Sequence, residues 1–161
     1  MMTPKEMSAQ TLEMCRLAPV IPVLVVDDAA VAVPLAEALV AGGLPVLEVT
    51  LRTPQALDVI RGMAGVAGGV VGAGTVLTEA DVIAAKEAGA QFAVSPGATD
   101  ALCAACEKHD LPLLPGGATA TEVMGLIERG YTTGKFFPAE AAGGAKALKA
   151  IGAPLPQVTF C

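Results

Sequence analysis

The chain has 161 residues, of which 53% are hydrophobic, 16% charged and only 3% aromatic, so its core has to be built from Ala, Val, Leu and Ile, as in β/α proteins whose strands are covered on both faces. A net charge of −6 with no lysine or arginine cluster excludes a nucleic-acid-binding surface. Mean hydropathy is +0.61, but the longest uncharged run, 62–78, is glycine-rich and too short to span a membrane, and Pro19 and Pro22 break the run 17–26.

Residues 1–18 read as a helix, with Thr3 as its cap and Pro4 at its first position. Lys5, Glu6 and Glu13 lie where a signal peptide would be basic and then apolar, so a cytoplasmic protein with no membrane partner is expected. From 19 to 161, short β-branched or apolar runs begin near Val20, Val46, Val70, Phe92, Leu111, Lys135 and Val158. Ala-, Leu- and Glu-rich segments lie between them. This is the βα repeat of a parallel sheet, recurring at roughly two dozen residues. Helix starts are marked at Asp27 or Asp28, Thr53-Pro54, Thr78 with Asp81, Thr99-Asp100, and Thr119 with Glu122. Gly42-Gly43, Gly89 and Gly130 mark helix ends. In the helix expected over 29–41, Pro34 belongs in the first turn or makes a kink. No linker divides the series, so 1–161 is expected to be one domain. An unbroken series of this kind fits either a doubly wound open sheet or a (β/α)8 barrel.

In the second run, Glu48, Thr50 and Arg52 share one strand face, and Leu47, Val49 and Leu51 share the other. The polar face lines a barrel interior or meets solvent on an open sheet. Inside a barrel, a carboxylate and a guanidinium on one face suit an anionic substrate. Lys135 lies in the sixth run, in the stretch Gly134-Lys135-Phe136-Phe137-Pro138-Ala139-Glu140, with Phe137 on its own face. Burying a lysine disfavours its charged form and makes the amine a nucleophile, whereas a lysine at a strand start can also snorkel to water. If both strands line one interior, the amine and the Glu48 carboxylate can meet, which is the pair imine chemistry needs.

Gly72-Ala73-Gly74-Thr75 is half a dinucleotide fingerprint, but Leu77 stands where a third glycine belongs, which disfavours a nicotinamide cofactor. Those glycines are expected to admit a ligand close to the backbone. Thr75, Ser95 and Pro138 all fall at strand C-termini, where parallel α/β folds place their sites. Cys103 and Cys106 form a CxxC placed mid-helix without a second ligand pair, so ordinary thiols are expected, and His109 reads as a helix-end residue.

Four stretches occurring together and in order resemble one family. They are Glu48-Val49-Thr50-Leu51-Arg52, Gly72-Ala73-Gly74-Thr75-Val76, Ser95-Pro96-Gly97 and Lys135-Phe136-Phe137-Pro138-Ala139-Glu140. The chain resembles the class I 2-keto-3-deoxy-6-phosphogluconate (KDPG) and 4-hydroxy-2-oxoglutarate aldolases over essentially its whole length. The resemblance implies a (β/α)8 TIM-type barrel, a homotrimer, a small 2-keto acid substrate, and neither metal nor organic cofactor. It implies Lys135 as the Schiff-base lysine and Glu48 as the general acid/base. Arg52 and Thr75 would hold the pyruvate carboxylate, with Pro96 and Phe137 as pocket walls. The family's Pro-Thr-Gly-Gly turn after strand seven and the loop after strand eight, which hold the substrate phosphate, have no counterpart in 1–161. The barrel is therefore expected to be incomplete, with about seven strands. A barrel fragment serving as an assembly module is the alternative reading.

Overall fold

The computed structural model describes residues 1–161 and has an α/β fold with parallel sheets. The elements, in chain order, are α1 (Pro4–Cys15), β1 (Val23–Leu24), a 3-10 turn (Ala29–Val31), α2 (Ala32–Ala41), β2 (Val46–Thr50), α3 (Ala56–Ala64), β3 (Val70–Gly74), α4 (Glu79–Glu87), β4 (Ala93–Val94), α5 (Asp100–Lys108), β5 (Leu113–Leu114), β6 (Gly116–Gly117), α6 (Ala120–Arg129), β7 (Thr133–Phe136), α7 (Gly144–Gly152) and β8 (Thr159–Phe160). β1 to β5 form one parallel sheet in sequential order, and β6, β7 and β8 form a second. β5 and β6 are two halves of one extended segment that meet at Pro115, so the expected sixth strand is β7 in this count. β1 and β8 do not pair, and the barrel is not closed. No helix is long and apolar enough to cross a membrane.

Period-two alternation divides the core into two. One cluster collects Leu47, Val49, Val71, Ala73, Ala93 and Leu113 with the helices that cover them. A second, smaller cluster collects Val46, Phe92, Val94 and Leu114 with Met14 of α1. Adjacent residues of one strand fall in different clusters, so the sheet has a helix-covered outer face and a separate inner face. Every residue of β2 is buried, which excludes the solvated-face reading of Glu48 and Thr50.

α1 is fixed to the Lys135 strand. Thr3 and Glu6 make a reciprocal capping box at its start, with Pro4 in the first turn. Its buried face carries Met7, Ser8, Thr11 and Met14. The Ser8 hydroxyl accepts from the Thr132 amide at 3.0 Å, and the Ser8 carbonyl accepts from the Thr133 hydroxyl at 3.1 Å. The caps expected at Thr78, Thr99 and Thr119 are present, and Gly130 closes α6 in a left-handed conformation.

Two expectations fail. Thr53 does not cap α3; the cap position is Gln55, without a side-chain bond, and the Thr53 hydroxyl donates to Val26 O at 2.7 Å. The carbonyl just past β1 takes that donor because no strand supplies one there. The segment 29–41 is not one helix either. Asp28 caps the 3-10 turn, and α2 starts at Ala32 with Pro34 in its first turn, where a missing amide hydrogen costs nothing.

Candidate active site

Lys135 and Glu48 meet. They come from β7 and β2, and Lys135 Nζ donates to Glu48 Oε1 at 3.3 Å. The Glu48 side chain is 6% exposed and that of Lys135 20%. Both line a cavity of about 310 Å³ whose other walls include Phe92, Val94, Leu114, Phe137 and Cys161. The inner-face parity of β2, β4, β5 and β7 delivers these side chains to one space. Lys135 is anchored through its backbone, with its amide donating to Pro115 O at 2.8 Å. Its ammonium stands 5.3 Å from the centre of the Phe137 ring, within cation–π range.

The glycines of β3 serve the protein's own side chains, which corrects the expectation of close ligand approach. A Cβ at Gly74 would lie 2.4 Å from Glu48 Oε1, and one at Gly72 would lie 2.4 Å from the Phe92 ring. The register pairs Glu48 with Gly72 and Thr50 with Gly74, so the carboxylate leans over bare backbone on the neighbouring strand. No side chain larger than hydrogen fits beneath it.

Arg52, Thr75 and Pro96 stand at strand C-termini and do not line the cavity. Arg52 is exposed beyond the end of β2, and its Nε donates to the Thr50 hydroxyl at 3.2 Å; that hydroxyl in turn donates to Leu24 O at 3.0 Å. Thr75 directly follows Gly74 and has φ +60°. A β-branched residue in the left-handed region carries strain of about 1–3 kcal/mol, a feature concentrated at functional sites. Pro96 is half-buried after β4. His109 is the C-cap of α5 and contacts Glu79 at 2.9 Å, outside the cavity that Lys135 lines. The Cys103 and Cys106 thiols are buried, and burial pushes that of Cys106 up to about 12. No group of three or more His, Cys, Asp and Glu side chains is arranged to hold a metal.

Sequence reasoning passed over Cys161. Thr133 pairs with Thr159 and Gly134 with Phe160, which places Cys161 opposite Lys135 on β8's extension. Its amide donates to Gly134 O at 2.8 Å, and its carbonyl accepts from the Phe136 amide at 3.0 Å. Counting register from β7 would have found it, but that needs the β7–β8 pairing first.

Chemically, this is an amine and a carboxylate in contact, at one side of a largely apolar cavity. Such a pair can exchange a proton directly and admit a small carbonyl compound. Residues 12–161 match the family model described as KDPG and KHG aldolase. The chain is 54% identical to the 2-dehydro-3-deoxy-phosphogluconate aldolase of Pseudoalteromonas atlantica, over 89% of this chain and 67% of that protein. It superimposes with a TM-score of 0.93 on the crystal structure of the Zymomonas mobilis 2-keto-3-deoxy-6-phosphogluconate aldolase with 3-phosphoglycerate, at 52% identity, covering 96% of this chain and 74% of that one. The Legionella pneumophila KDPG aldolase, crystallised with pyruvate captured as a covalent carbinolamine, gives a TM-score of 0.87 at 45% identity, covering 99% and 75%.

Proposed function

From the premise that the chain belongs to the KDPG and KHG aldolase family, we propose that Lys135 is its imine-forming lysine and Glu48 its proton shuttle. The protein is an aldolase, a carbon–carbon lyase. The substrates in this reading are 2-keto-3-deoxy-6-phosphogluconate, cleaved to pyruvate and glyceraldehyde 3-phosphate, and 4-hydroxy-2-oxoglutarate. The observation that carries the reading is the 3.3 Å contact between Lys135 Nζ and Glu48 Oε1 inside the cavity. The carbinolamine held by the Legionella pneumophila relative supports the same chemistry.

A proton passed from Nζ to Oε1 leaves a neutral amine and a carboxylic acid. The amine attacks the C2 ketone of the 2-keto acid and forms a carbinolamine. Glu48 returns the proton to the carbinolamine hydroxyl, which leaves as water, and a cationic iminium remains. The Glu48 carboxylate then takes the C4 hydroxyl proton. The C3–C4 bond breaks, its electron pair flows into the iminium, and the aldehyde departs. The remaining enamine is protonated at C3 and hydrolysed to pyruvate, which frees Lys135.

In this reading Arg52 and Thr75 bind the keto acid's carboxylate at the rim, and Pro96 and Phe137 bound the pocket. The strain at Thr75 and the Arg52–Thr50 bond at the end of β2 support those roles. The outer core shared from Met7 to Tyr131, together with the pairing of β7 to β6 and β8, supports treating 1–161 as one barrel unit. A homotrimer belongs to the same reading, supported by exposed apolar side chains such as Val23, Val25, Val33 and Leu77.

The test is reductive trapping. The protein is incubated with pyruvate and borohydride at neutral pH, digested, and the adduct located by mass spectrometry. A reduced pyruvyl adduct on Lys135 is expected. No adduct, or an adduct on another lysine, would sink the assignment.

A further inference from the structure

Cys161 is the cavity-lining nucleophile that the aldolase mechanism leaves unused. It sits opposite Lys135 in the β7–β8 register, and its backbone bonds bracket that residue on both sides. It shares the cavity wall with Met14, Phe92, Val94 and Leu114, and the next residue of α1 after Met14, Cys15, packs half-buried against that same cluster, where the two thiols influence one another. Two free thiols thus stand at the seam between an N-terminal helix and the strand edge beside the amine. We propose that Cys15 and Cys161 are an oxidation site, converted by hydrogen peroxide to an intramolecular disulfide that disables Lys135.

The chemistry balances with peroxide as oxidant. The Cys161 thiolate attacks one peroxide oxygen, the O–O bond breaks, and hydroxide leaves and takes up a proton as water. Cys161 is then a sulfenic acid. The Cys15 sulfur attacks the Cys161 sulfur, the S–O bond breaks, and a second water leaves. Two thiols have lost two electrons and two protons, and peroxide has become two waters.

Two features favour Cys161 as the attacking sulfur. The neighbouring Cys15 thiol, foremost, and the Lys135 ammonium bring its thiol below the ordinary value, against the opposing effects of burial and Glu48. A thiolate, not a thiol, is the nucleophile. Cys15 is pushed in the opposite direction by Cys161 and by burial. Cys103 and Cys106 are buried on α5, with both thiols raised by burial, and provide internal controls.

The link to function follows from the backbone. The Cys161 amide and carbonyl are bonded to Gly134 and Phe136. A covalent bond that draws Cys161 towards α1 therefore pulls on the strand that carries the amine and disturbs its contact with Glu48. This consequence rests on the imine reading of Lys135, whereas the disulfide itself does not.

The experiment treats the full chain with hydrogen peroxide, blocks remaining thiols with iodoacetamide and maps peptides without reduction. Peptides containing Cys15 and Cys161 are expected joined, at their summed mass less two hydrogens, with Cys103 and Cys106 alkylated. Pyruvate–borohydride trapping at Lys135 is expected to be lost in the oxidised protein and to return after a dithiol reductant. In Cys15→Ser, the joined peptide is expected to vanish and dimedone to label Cys161. The proposal is overturned if Cys15 stays alkylatable in parent protein whose trapping has been lost, or if joined protein traps pyruvate as the reduced protein does. Absence of trapping in untreated protein would remove the imine reading alone, and the peptide map would still decide the disulfide.

Discussion

The carboxylate of Glu48 occupies the volume that a side chain at Gly74 would fill; a Cβ there would sit 2.4 Å from Oε1. Three consecutive features of the sequence express one requirement. Glu48 faces inward on β2, Gly74 lies two residues beyond its register partner Gly72 on β3, and β3 ends immediately afterwards. The acid/base group thus reaches the amine by leaning over an empty position, and that position can be tested.

Gly74→Ala is expected to push Glu48 off Lys135. Overpacking of this kind costs about 1–3 kcal/mol, which thermal unfolding will read. The kinetic signature is a fall in kcat that exceeds the change in KM, because the displaced group moves protons. A Gly74→Ala protein with parental kcat would show that Glu48 does not need this pose.

Glu48→Gln keeps size and hydrogen bonding but cannot carry the proton. Turnover is expected to fall by about 10²–10⁴-fold, the usual worth of general acid–base catalysis. Trapping of pyruvate at Lys135 should slow yet persist, since the amine remains. Undiminished turnover would assign the proton shuttle to another group.

Thr75→Gly relieves the left-handed strain at φ +60°. A gain of about 1 kcal/mol in unfolding free energy is expected, because glycine has no Cβ penalty there. If the hydroxyl holds the keto acid's carboxylate, KM for the substrate rises in the same protein. A more stable variant with unchanged KM would confine Thr75 to a structural role.

The start of α6 gives a pH-dependent prediction. Glu122 accepts from the amides of Ala118 and Thr119 and from the Thr119 hydroxyl, and these bonds hold its carboxyl below the ordinary value, the Ala118 amide foremost. A lowered folded-state value means the stabilisation is fully present above the unfolded carboxylate range. It is lost as pH falls through the lowered value. Glu122→Gln should therefore flatten the acid limb of the stability–pH curve by lowering stability at neutral pH, with the acid end, where the carboxyl is already protonated, little changed. Thr119→Ala is expected to cost about 0.5–2 kcal/mol at neutral pH, read by denaturant unfolding.

Much of this was legible in the chain itself, for definite reasons. Capping boxes are local, so Thr3, Thr78 and Thr119 announce themselves within four residues. Alternation on β2 put Glu48 and Thr50 on one face, and the structure needed only to say that the face is interior. What stayed hidden depends on neighbours distant in sequence. Gly74 and Gly72 look like ligand-approach glycines until β2 and β4 bring Glu48 and Phe92 against them. Thr53 looks like a helix cap until the end of β1 presents a carbonyl in need of a donor. Cys161 reads as an unremarkable thiol until the β7–β8 register sets it beside Lys135.

Pro115 divides the segment that joins the two sheets. Glu48 belongs to the sheet on one side of it and Lys135 to the sheet on the other. The 113–117 segment pairs with β4 through its first half and β7 through its second, and Pro115 has no amide hydrogen to add to either ladder. The segment is the covalent seam between the two sheets, each carrying one reacting group. Its curvature sets the gap that the proton must cross, so a substitution at Pro115, in contact with no substrate, would retune the distance across which the amine is activated.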